Sequence, residues 1–214
     1  MKESPILMSA PMVQAILAGW KTETRRVLKG ANHVSAGGIP LNFVGSQIKE
    51  VPCPYGWIGD QLWVRETFAR DDEDGGLFYR ADVGSGNEAD DWERNRLDGV
   101  ARYRWRPSIH MPRAFSRITL IITDVFAERL QDISRGEAMA EGCPFPNIAA
   151  GSDPRMWFAG LWDQINGPGS WDTNPWVWVV KFNRAAMSVD PTIPATTTPK
   201  VHGWPARSSI AAGA

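Results

Sequence analysis

The segment that most constrains the fold is residues 116–127, SRITLIITDVFA, which carries the clearest strand pattern in the chain. An alternating run of β-branched and large apolar residues is typical of a β-strand. The same features predict strands at residues 22–28, directly after Gly59-Asp60, at 77–82 and at 175–182. In the strand after Gly59-Asp60, alternation places Leu62, Val64 and Glu66 on one face. The chain is therefore expected to be rich in strands.

Helical patterns occur in three shorter segments. Residues 11–19 begin with a proline suited to a first helical turn and end in a glycine, and Met12, Ile16 and Leu17 are predicted to share a face. Strand and helix patterns together predict an α+β fold, with two or three helices at the outside or the ends of the sheet.

The second and third helices have their own signals. Residues 134–141 start at Ser134 with Glu137 three positions later, which is a capping box, and Gly142 follows as a stop. Residues 154–165 carry large apolar side chains every four residues, namely Trp157, Leu161 and Ile165, with Phe158 and Trp162 alongside. Both segments are predicted to be amphipathic helices.

The remaining segments are predicted to be irregular. Residues 29–56 are rich in Gly, Pro and Asn and predict a long loop, residues 71–76 an acidic turn, and 83–108 only a weak pattern. We expect one domain at 1–184 with long inserted loops. The Pro-, Thr-, Ala- and Ser-rich residues 185–214 are predicted to be a disordered tail.

Composition excludes several classes of protein. The 214 residues include no apolar run of the roughly 20 that would cross a bilayer, and no apolar stretch at the N-terminus that resembles a secretory signal. We therefore expect a cytoplasmic protein with Cys53 and Cys143 reduced. The three histidines are scattered, so no metal site is predicted. A net charge of −1 means that any nucleic acid must be held by a local patch. The 11 tryptophans indicate either a bulky core or surfaces that stack on bases.

The segment richest in reactive groups is LAGWKTETRR, residues 17–26. A helix that ends at Gly19 and turns directly into a strand makes a tight corner, at which Lys21 and Thr24 can approach each other. A lysine acts as a base only when burial or nearby cations lower its pKa, and a threonine hydroxyl is a nucleophile only when a base removes its proton. The alternative is that Lys21, Arg25 and Arg26 are exposed strand charges and that Thr24 is a strand former.

These residues carry a resemblance to a known family. The pattern Gly19-x-Lys21-Thr22-x-Thr24-x-Arg26, the pattern Gly59-Asp60-x-Leu62-x-Val64-x-Glu66 and a closing strand WVWVVKF resemble the ASCH domain. Over residues 5–184 the chain is similar to longer, Trp-rich ASCH proteins of phages and prophages, through segments such as CPYGWIGDQLWVRETFA, ERLQDIS, FAGLWDQING and NPWVWVVKF.

The resemblance implies a PUA-like β-barrel, the ASCH fold, with a cleft suited to RNA or a nucleoside. One small bacterial branch of the family hydrolyses the acetyl amide of N4-acetylcytidine. In that branch a lysine acts as the base, a threonine as the nucleophile and a glutamate as the proton donor, and the matching positions here are Lys21, Thr24 and Glu141. Other members are proposed ribonucleases or are treated as RNA binders. The minimal amidohydrolases have no counterpart of residues 30–55 and 83–112.

Further polar residues complete the candidate set. The predicted substrate-binding residues are Thr22, Arg25, Arg26, Glu66, His110 and Arg113. Glu66 is expected to pair with Arg26 or Arg117 or else to contact substrate, because a carboxylate facing inward needs a partner. His110 is either a group that titrates near neutrality or a solvated loop residue. The run 102–106, RYRWR, either holds phosphates and a base or is a strand with its arginines outward.

Three functions follow from these patterns. The first is a hydrolase that cleaves an N4-acylated cytidine through Lys21, Thr24 and Glu141, without a cofactor or metal and without an obligate protein partner. The second is an RNA- or nucleic-acid-binding protein or ribonuclease that uses the same cleft, with Lys21, Arg25, Arg26 and Arg113 on phosphates. The third is a phage assembly protein, which no coiled coil, repeat or large apolar run supports.

Overall fold

The structure is a computed structural model, and it describes residues 1–70, 76–83, 104–144 and 153–185. Its strands, in chain order, are β1 (Glu3–Leu7), β2 (Glu23–Val27), β3 (His33–Val34), β4 (Pro40–Val44), β5 (Gln47–Glu50), β6 (Gln61–Arg65), β7 (Phe68–Arg70), β8 (Leu77–Tyr79), β9 (Thr119–Arg129) and β10 (Trp176–Arg184). Its α-helices are α1 (Ala10–Leu17), α2 (Arg135–Ala140) and α3 (Pro154–Asn166). Short 3-10 turns occur at Arg80–Asp82, Ser108–His110, Arg113–Phe115 and Leu130–Asp132.

The main sheet of the described residues has five strands in the order β1-β6-β9-β10-β2. Strands β1 and β6 run parallel, and the other neighbours are antiparallel. The two longest strands, β9 and β10, lie next to each other inside the sheet and pair over nine registered positions. The predicted α+β fold is confirmed by this combination of sheets and helices.

A closed barrel is not formed by these strands, because the ladder ends at β1 on one side and at β2 on the other. Pro5 lies in β1, and a residue without an N–H suits an edge strand. The two edges approach each other through a side chain instead: Arg26 of β2 donates from Nη2 to the carbonyl oxygen of Leu7 at 3.1 Å. The gap between β1 and β2 is where the pocket described below lies.

The hydrophobic core follows the alternation of the strands. Leu62 and Val64 are buried on one face of β6, as predicted, and Leu120 and Ile122 of β9 bury against the same cluster. A second cluster joins α2 and α3 to the sheet around Phe158 of α3. The helices therefore cover apolar parts of the sheet surface.

The buried faces of two helices differ from the predicted ones. In α1 Leu17 is 37% exposed, and Val13 is buried together with Met12 and Ile16. In α3 Ile165 is 66% exposed, whereas Phe158 and Trp162 face the sheet. Each helix is rotated from the predicted face because apolar residues cover more than one side of it, and contacts with the sheet select the buried side.

The segment predicted as a loop at residues 29–56 contains a second sheet, of β3, β4 and β5. Strands β4 and β5 form a hairpin in which Val44 pairs with Gln47 across the two residues Gly45 and Ser46. All four residues of β5 are exposed, so this hairpin lacks the buried alternation on which strand prediction depends. A Gly-Ser pair between two short runs is nevertheless a hairpin signal that the sequence offered.

Other predicted elements are confirmed with shifted ends. Strand β8 ends at Tyr79, and residues 80–82 form a 3-10 turn instead of continuing it. Strand β1 had no predicted counterpart. The capping box of Ser134 and Glu137 is present, with Ser134 Oγ 3.2 Å from the Glu137 amide and Glu137 Oε2 3.0 Å from the Ser134 amide. Residues 186–214 of the predicted tail, and most of the predicted insertion at 83–112, lie outside the described residues.

Candidate functional site: a buried lysine at the gap between edge strands

The corner between α1 and β2 is fixed by backbone hydrogen bonds. The amides of Trp20 and Lys21 both donate to the carbonyl of Ala15, at 2.8 and 3.1 Å, so the chain reverses immediately after the helix. The amide of Thr22 then donates to the carbonyl of Ala140 at the end of α2, at 2.9 Å. These contacts bring the helix end that carries Glu141 to the corner that carries Lys21.

Gly142 allows this approach. Its φ is +98°, and a Cβ at this position would lie 3.1 Å from the Ala15 Cβ and 3.3 Å from the Lys21 Cβ. Both the backbone conformation and the space therefore favour glycine. The predicted stop after α2 is thus also the residue that lets α2 pack against the corner.

Lys21 is buried and makes three hydrogen bonds. Its side chain is 1% exposed, and Nζ donates to Glu141 Oε2 at 2.6 Å, to the Glu141 carbonyl at 2.8 Å and to the Glu23 carbonyl at 2.8 Å. These three acceptors match the three N–H groups of an ammonium. Burial lowers the pKa of Lys21, and the charge and hydrogen bond of Glu141 oppose that change.

Arg25 forms the second part of this charged cluster. Its side chain is 0% exposed, and its guanidinium nitrogens lie 2.6 Å from Glu23 Oε1, 2.7 Å from Glu128 Oε1 and 3.4 Å from Glu141 Oε1. Burial raises the pKa of Glu23 and of Glu128, while Arg25 lowers both. A further carboxylate, Glu137, lies 3.5 Å away. Arg25 is therefore an anchor of buried carboxylates and does not present its charge to solvent.

Thr24 lies on the opposite side of β2 from Arg25, since neighbouring residues of a strand alternate. It is fully buried, and its Oγ1 accepts a hydrogen bond from Arg26 Nη1 at 2.7 Å. Arg26 also donates to the Arg25 carbonyl at 3.0 Å and bridges to Leu7. Arg26 is only partly buried, so the cation bonded to the buried threonine hydroxyl is itself in contact with solvent.

A single pocket joins Lys21, Thr24 and Glu141. It has a volume of about 480 Å³ and opens between the ends of β1 and β2 and the side of α3. Its lining residues are Leu7, Met8, Ser9, Met12, Lys21, Thr24, Arg25, Arg26, Val27, Thr67, Ser108, Glu141, Phe158, Leu161, Trp162, Ile165 and Asn166. The lining combines charged and polar groups with a mainly apolar and aromatic wall from α3, and small-molecule sites combine such groups.

Two of the predicted substrate-binding residues, Arg25 and Arg26, line this pocket. Thr22 is exposed and is not among the lining residues. Glu66 is 1% exposed and is held by Arg117, whose Nε and Nη2 donate to its two oxygens at 2.9 and 3.0 Å. Arg117, one of the two expected partners, therefore satisfies Glu66, and Arg26 does not.

His110 and Arg113 also lie outside the pocket. His110 is exposed at the end of a 3-10 turn, while Ser108 of the same turn lines the pocket. Arg113 pairs with Glu3, its Nη2 lying 2.6 Å from Oε1. Arg104 and Arg106 are exposed and Trp105 is half-buried, as in the predicted alternative with arginines outward, and residues 102 and 103 lie outside the described residues.

Several residues of the site were missed at the sequence level. Glu23 and Glu128 fix Arg25, and Glu23 lies inside the very motif that drew attention to Lys21 and Thr24. The aromatic wall comes from α3, whose Phe158 and Trp162 were assigned only to a helix face. The segments α3 and β2 are far apart in the sequence. The periodicity of apolar residues within α3 therefore does not indicate that the two lie next to each other.

Within the described ranges, no group of three or more His, Cys, Asp or Glu side chains is arranged to hold a metal ion. In the same ranges no helix is both long and apolar enough to span a bilayer. Cys53 and Cys143 are both buried and unpaired with each other.

Comparison with known proteins gives one structural neighbour to report. No family model and no curated protein matches the chain. The crystal structure of an ASCH domain from Lactobacillus crispatus JV V101 aligns with 86% of this chain and 79% of its own, at 13% identity and a TM-score of 0.35. A TM-score this low does not assign a fold or an activity, so membership of the ASCH family stays a prediction of the sequence motifs.

Proposed function

We propose that this chain is an ASCH-type hydrolase of the long phage and prophage branch, which cleaves the acyl amide of N4-acetylcytidine or a related N4-acylated cytidine. The observation that carries the proposal is the buried Lys21–Glu141 pair, which shares one pocket with Thr24. Perturbed titratable groups gathered in a pocket are typical of catalytic sites. A volume of about 480 Å³ lies within the range of small-molecule sites.

The proposed chemistry begins with a proton transfer from Lys21 to Glu141. Transfer of the proton from Lys21 Nζ to Glu141 Oε2, 2.6 Å away, leaves a neutral amine and a neutral carboxylic acid. The amine then takes the proton of Thr24 Oγ1, which attacks the acyl carbonyl. Glu141 protonates the exocyclic nitrogen as the C–N bond breaks, and water releases the acid from the threonine ester. One proton transfer thus prepares both the base and the acid.

Arg26 and the aromatic wall supply the remaining functions. The Arg26 guanidinium lies 2.7 Å from Thr24 Oγ1, so it is close to the position where negative charge forms on the carbonyl oxygen. The base of the nucleoside is placed against Phe158 and Trp162, the aromatic side chains of the pocket lining. No step in this scheme uses a metal or an organic cofactor. The protein is proposed to act in the cytoplasm.

The alternative, in which Lys21, Arg25, Arg26 and Arg113 hold the phosphates of a nucleic acid, is less well supported. Lys21 and Arg25 are buried and paired with carboxylates, so their charge is not available to phosphates on the surface. Arg113 pairs with Glu3 and lies outside the pocket. Of the four cations first considered, Arg26 alone lines the pocket without a carboxylate partner among the described residues.

The test is release of cytidine from N4-acetylcytidine by the purified protein, compared with Thr24→Val and Lys21→Met. Valine keeps the shape of threonine, so a loss of about 100-fold or more in kcat/KM reports the hydroxyl and not packing. Matched controls are Thr123→Val and Lys29→Met, which make the same changes at exposed positions. Absence of turnover by folded wild-type protein, or full activity of Thr24→Val, would overturn the proposal.

A further inference from the structure

An arginine-rich surface lies directly beside the pocket and takes no part in the proposed reaction. It consists of Arg70, Arg80, Arg104 and Arg106, and is called the arginine surface below. Arg70, Arg104 and Arg106 are exposed and Arg80 is half-buried. Arg104 and Arg106 are two residues apart, and Arg106 forms an isolated antiparallel β-bridge with Phe68.

Backbone contacts tie this surface to the pocket rim. Arg106 and Phe68 exchange backbone hydrogen bonds at 2.7 and 3.2 Å, and the Arg80 amide donates to the carbonyl of Thr67 at 2.9 Å. Thr67 and Ser108 both line the pocket. The arginine surface therefore begins within two residues of the pocket wall.

The charge of the surface is not neutralised by the parts of the chain that the structure describes. In those parts, the ion pairs nearest to it use Arg113 with Glu3, and Arg117 with Glu66 and Asp82, while the four arginines of the surface have no carboxylate partner. Arginines without a described carboxylate partner give this surface a local positive charge, and such a charge attracts anions.

Aromatic rings hold two of these guanidinium groups. The Arg80 guanidinium lies 5.7 Å from the centre of the Trp105 ring, and that of Arg70 lies 5.8 Å from Phe115. A guanidinium stacked on a ring keeps its N–H edge free, and that edge fits phosphate oxygens with two parallel hydrogen bonds. Arginines interleaved with aromatic residues are the pattern of surfaces that follow a single nucleic-acid strand.

We propose that the arginine surface binds the phosphodiester backbone of a single-stranded nucleic acid whose target base enters the pocket. This inference rests on the proposed function for the identity of the base, and it changes the substrate from a free nucleoside to a residue within a strand. A free nucleoside has no phosphate, so it would leave the arginine surface without a ligand. A strand crosses the rim at Thr67 and Ser108 and continues over the arginines.

The experiment measures binding of unmodified strands, so its result does not depend on hydrolysis. Fluorescein-labelled oligouridylate and oligothymidylate of about 12 nucleotides, a length within the span of single-strand sites, are titrated with the full chain and followed by anisotropy. The salt concentration is varied between about 50 and 200 mM, because each phosphate contact to a single strand contributes a slope of about −0.7 to log K against log salt.

The variant is Arg104→Gln with Arg106→Gln, and the control is Arg135→Gln with Arg184→Gln, which removes the same charge from exposed arginines elsewhere. We expect the first pair to weaken binding and to reduce the salt slope by about 1.4, and the control to stay near the wild type. Arg70→Gln alone, expected to reduce the slope by about 0.7, gives a second reading if the double variant unfolds. Equal losses of affinity for oligouridylate and oligothymidylate would assign the contact to the phosphodiester backbone that RNA and DNA share. A loss of affinity for oligouridylate alone would assign it to RNA.

Three results would overturn the inference. They are no binding by the folded wild type, an equal loss in the control pair, and tighter binding of polyglutamate than of either oligonucleotide, which would indicate an acidic protein as the partner. The two proposals fail separately. Strand binding without hydrolysis of N4-acetylcytidine would contradict the proposed reaction and support the proposed role of the arginine surface. Hydrolysis of the nucleoside without strand binding would support the reaction and contradict that role.

Discussion

Two buried charge clusters in this molecule have similar contents and different surroundings. In the first, Glu66 is 1% exposed, and both of its oxygens accept hydrogen bonds from Arg117, at 2.9 and 3.0 Å. Arg117 also bonds Asp82 and lies over the Tyr79 ring, 3.9 Å from its centre. In the second, Lys21 and Arg25 are held by carboxylates at distances down to 2.6 Å. Both clusters are buried, ion-paired and strongly hydrogen-bonded.

The clusters differ in what lies next to them. Lys21, Arg25 and Glu141 line a cavity of about 480 Å³, whereas Glu66 and Arg117 are not among the residues of its wall. Burial and a shifted pKa are therefore shared by a candidate active centre and by an ion pair that joins β6 to the start of β9. Among the described residues, only the second cluster lines this cavity, and a cavity is a property that a residue pattern does not encode.

The largest expected effect that tests this comparison is that of Arg25→Met. Its guanidinium lies within 3.5 Å of four carboxylates, so its loss leaves like charges buried together. We expect the free energy of unfolding to fall by about 3–5 kcal/mol near neutral pH, measured by chemical denaturation. Arg155→Met is the control, because Arg155 is 49% exposed and pairs with Asp153 at the surface, for which about 0–1 kcal/mol is expected.

The pH dependence of that loss has a definite sign. Burial raises the pKa of Glu23 and Glu128 in the folded protein, and removing the Arg25 cation raises both further. A carboxyl group with a raised folded pKa takes up a proton more readily in the folded than in the unfolded state, so falling pH stabilises the folded state in that window. The destabilisation by Arg25→Met should therefore shrink as the pH falls from neutrality toward the ordinary carboxyl value of 4.5. If the loss in the free energy of unfolding did not change with pH, the buried carboxylates would not be its cause.

A smaller effect is expected from Glu66→Gln. The glutamine keeps the shape and one acceptor but turns an N–H group toward Arg117, so we expect a loss of about 1–3 kcal/mol in the free energy of unfolding. Hydrolysis of N4-acetylcytidine should stay near that of the wild type, since Glu66 is not among the residues that line the pocket. If kcat fell as far as in Thr24→Val, Glu66 would belong to the reactive cluster and the distinction between the two clusters would fail.

Much of the local structure was predictable because its causes are local. The capping box of Ser134 and Glu137, the alternation of β6 and the direct passage from α1 into β2 depend on residues within a few positions of one another. The same proximity brought Lys21 and Thr24 together as candidates, although the motif alone did not reveal that Glu23 fixes Arg25.

The rest depends on contacts between distant segments. Arg25 lies opposite Val179, and Glu128 lies opposite Val177, so their contact requires the registers of β2 with β10 and of β10 with β9 together. Strand β1 is held by parallel pairing to β6, which residues 3–7 alone do not indicate. The predicted closed barrel is not shown for a related reason: among the described strands the ladder stops at β1 and β2, and Arg26 reaches Leu7 across the gap.

The smallest effect concerns the titration of Tyr79, which touches neither the pocket nor the proposed reaction. Burial raises the pKa of this phenol to about 12, and Arg117 opposes the shift while Glu66 adds to it. Spectrophotometric titration of the folded protein should show one tyrosine ionising well above the ordinary value of 10.0, and Tyr79→Phe should remove that component. Because Glu66 adds to the shift, Glu66→Gln should move the component downward and leave it visible. Complete ionisation near the ordinary value, with near-ultraviolet circular dichroism still native, would mean that the Glu66–Arg117 cluster is open to water. The two clusters would then differ in solvation as well as in their access to the pocket.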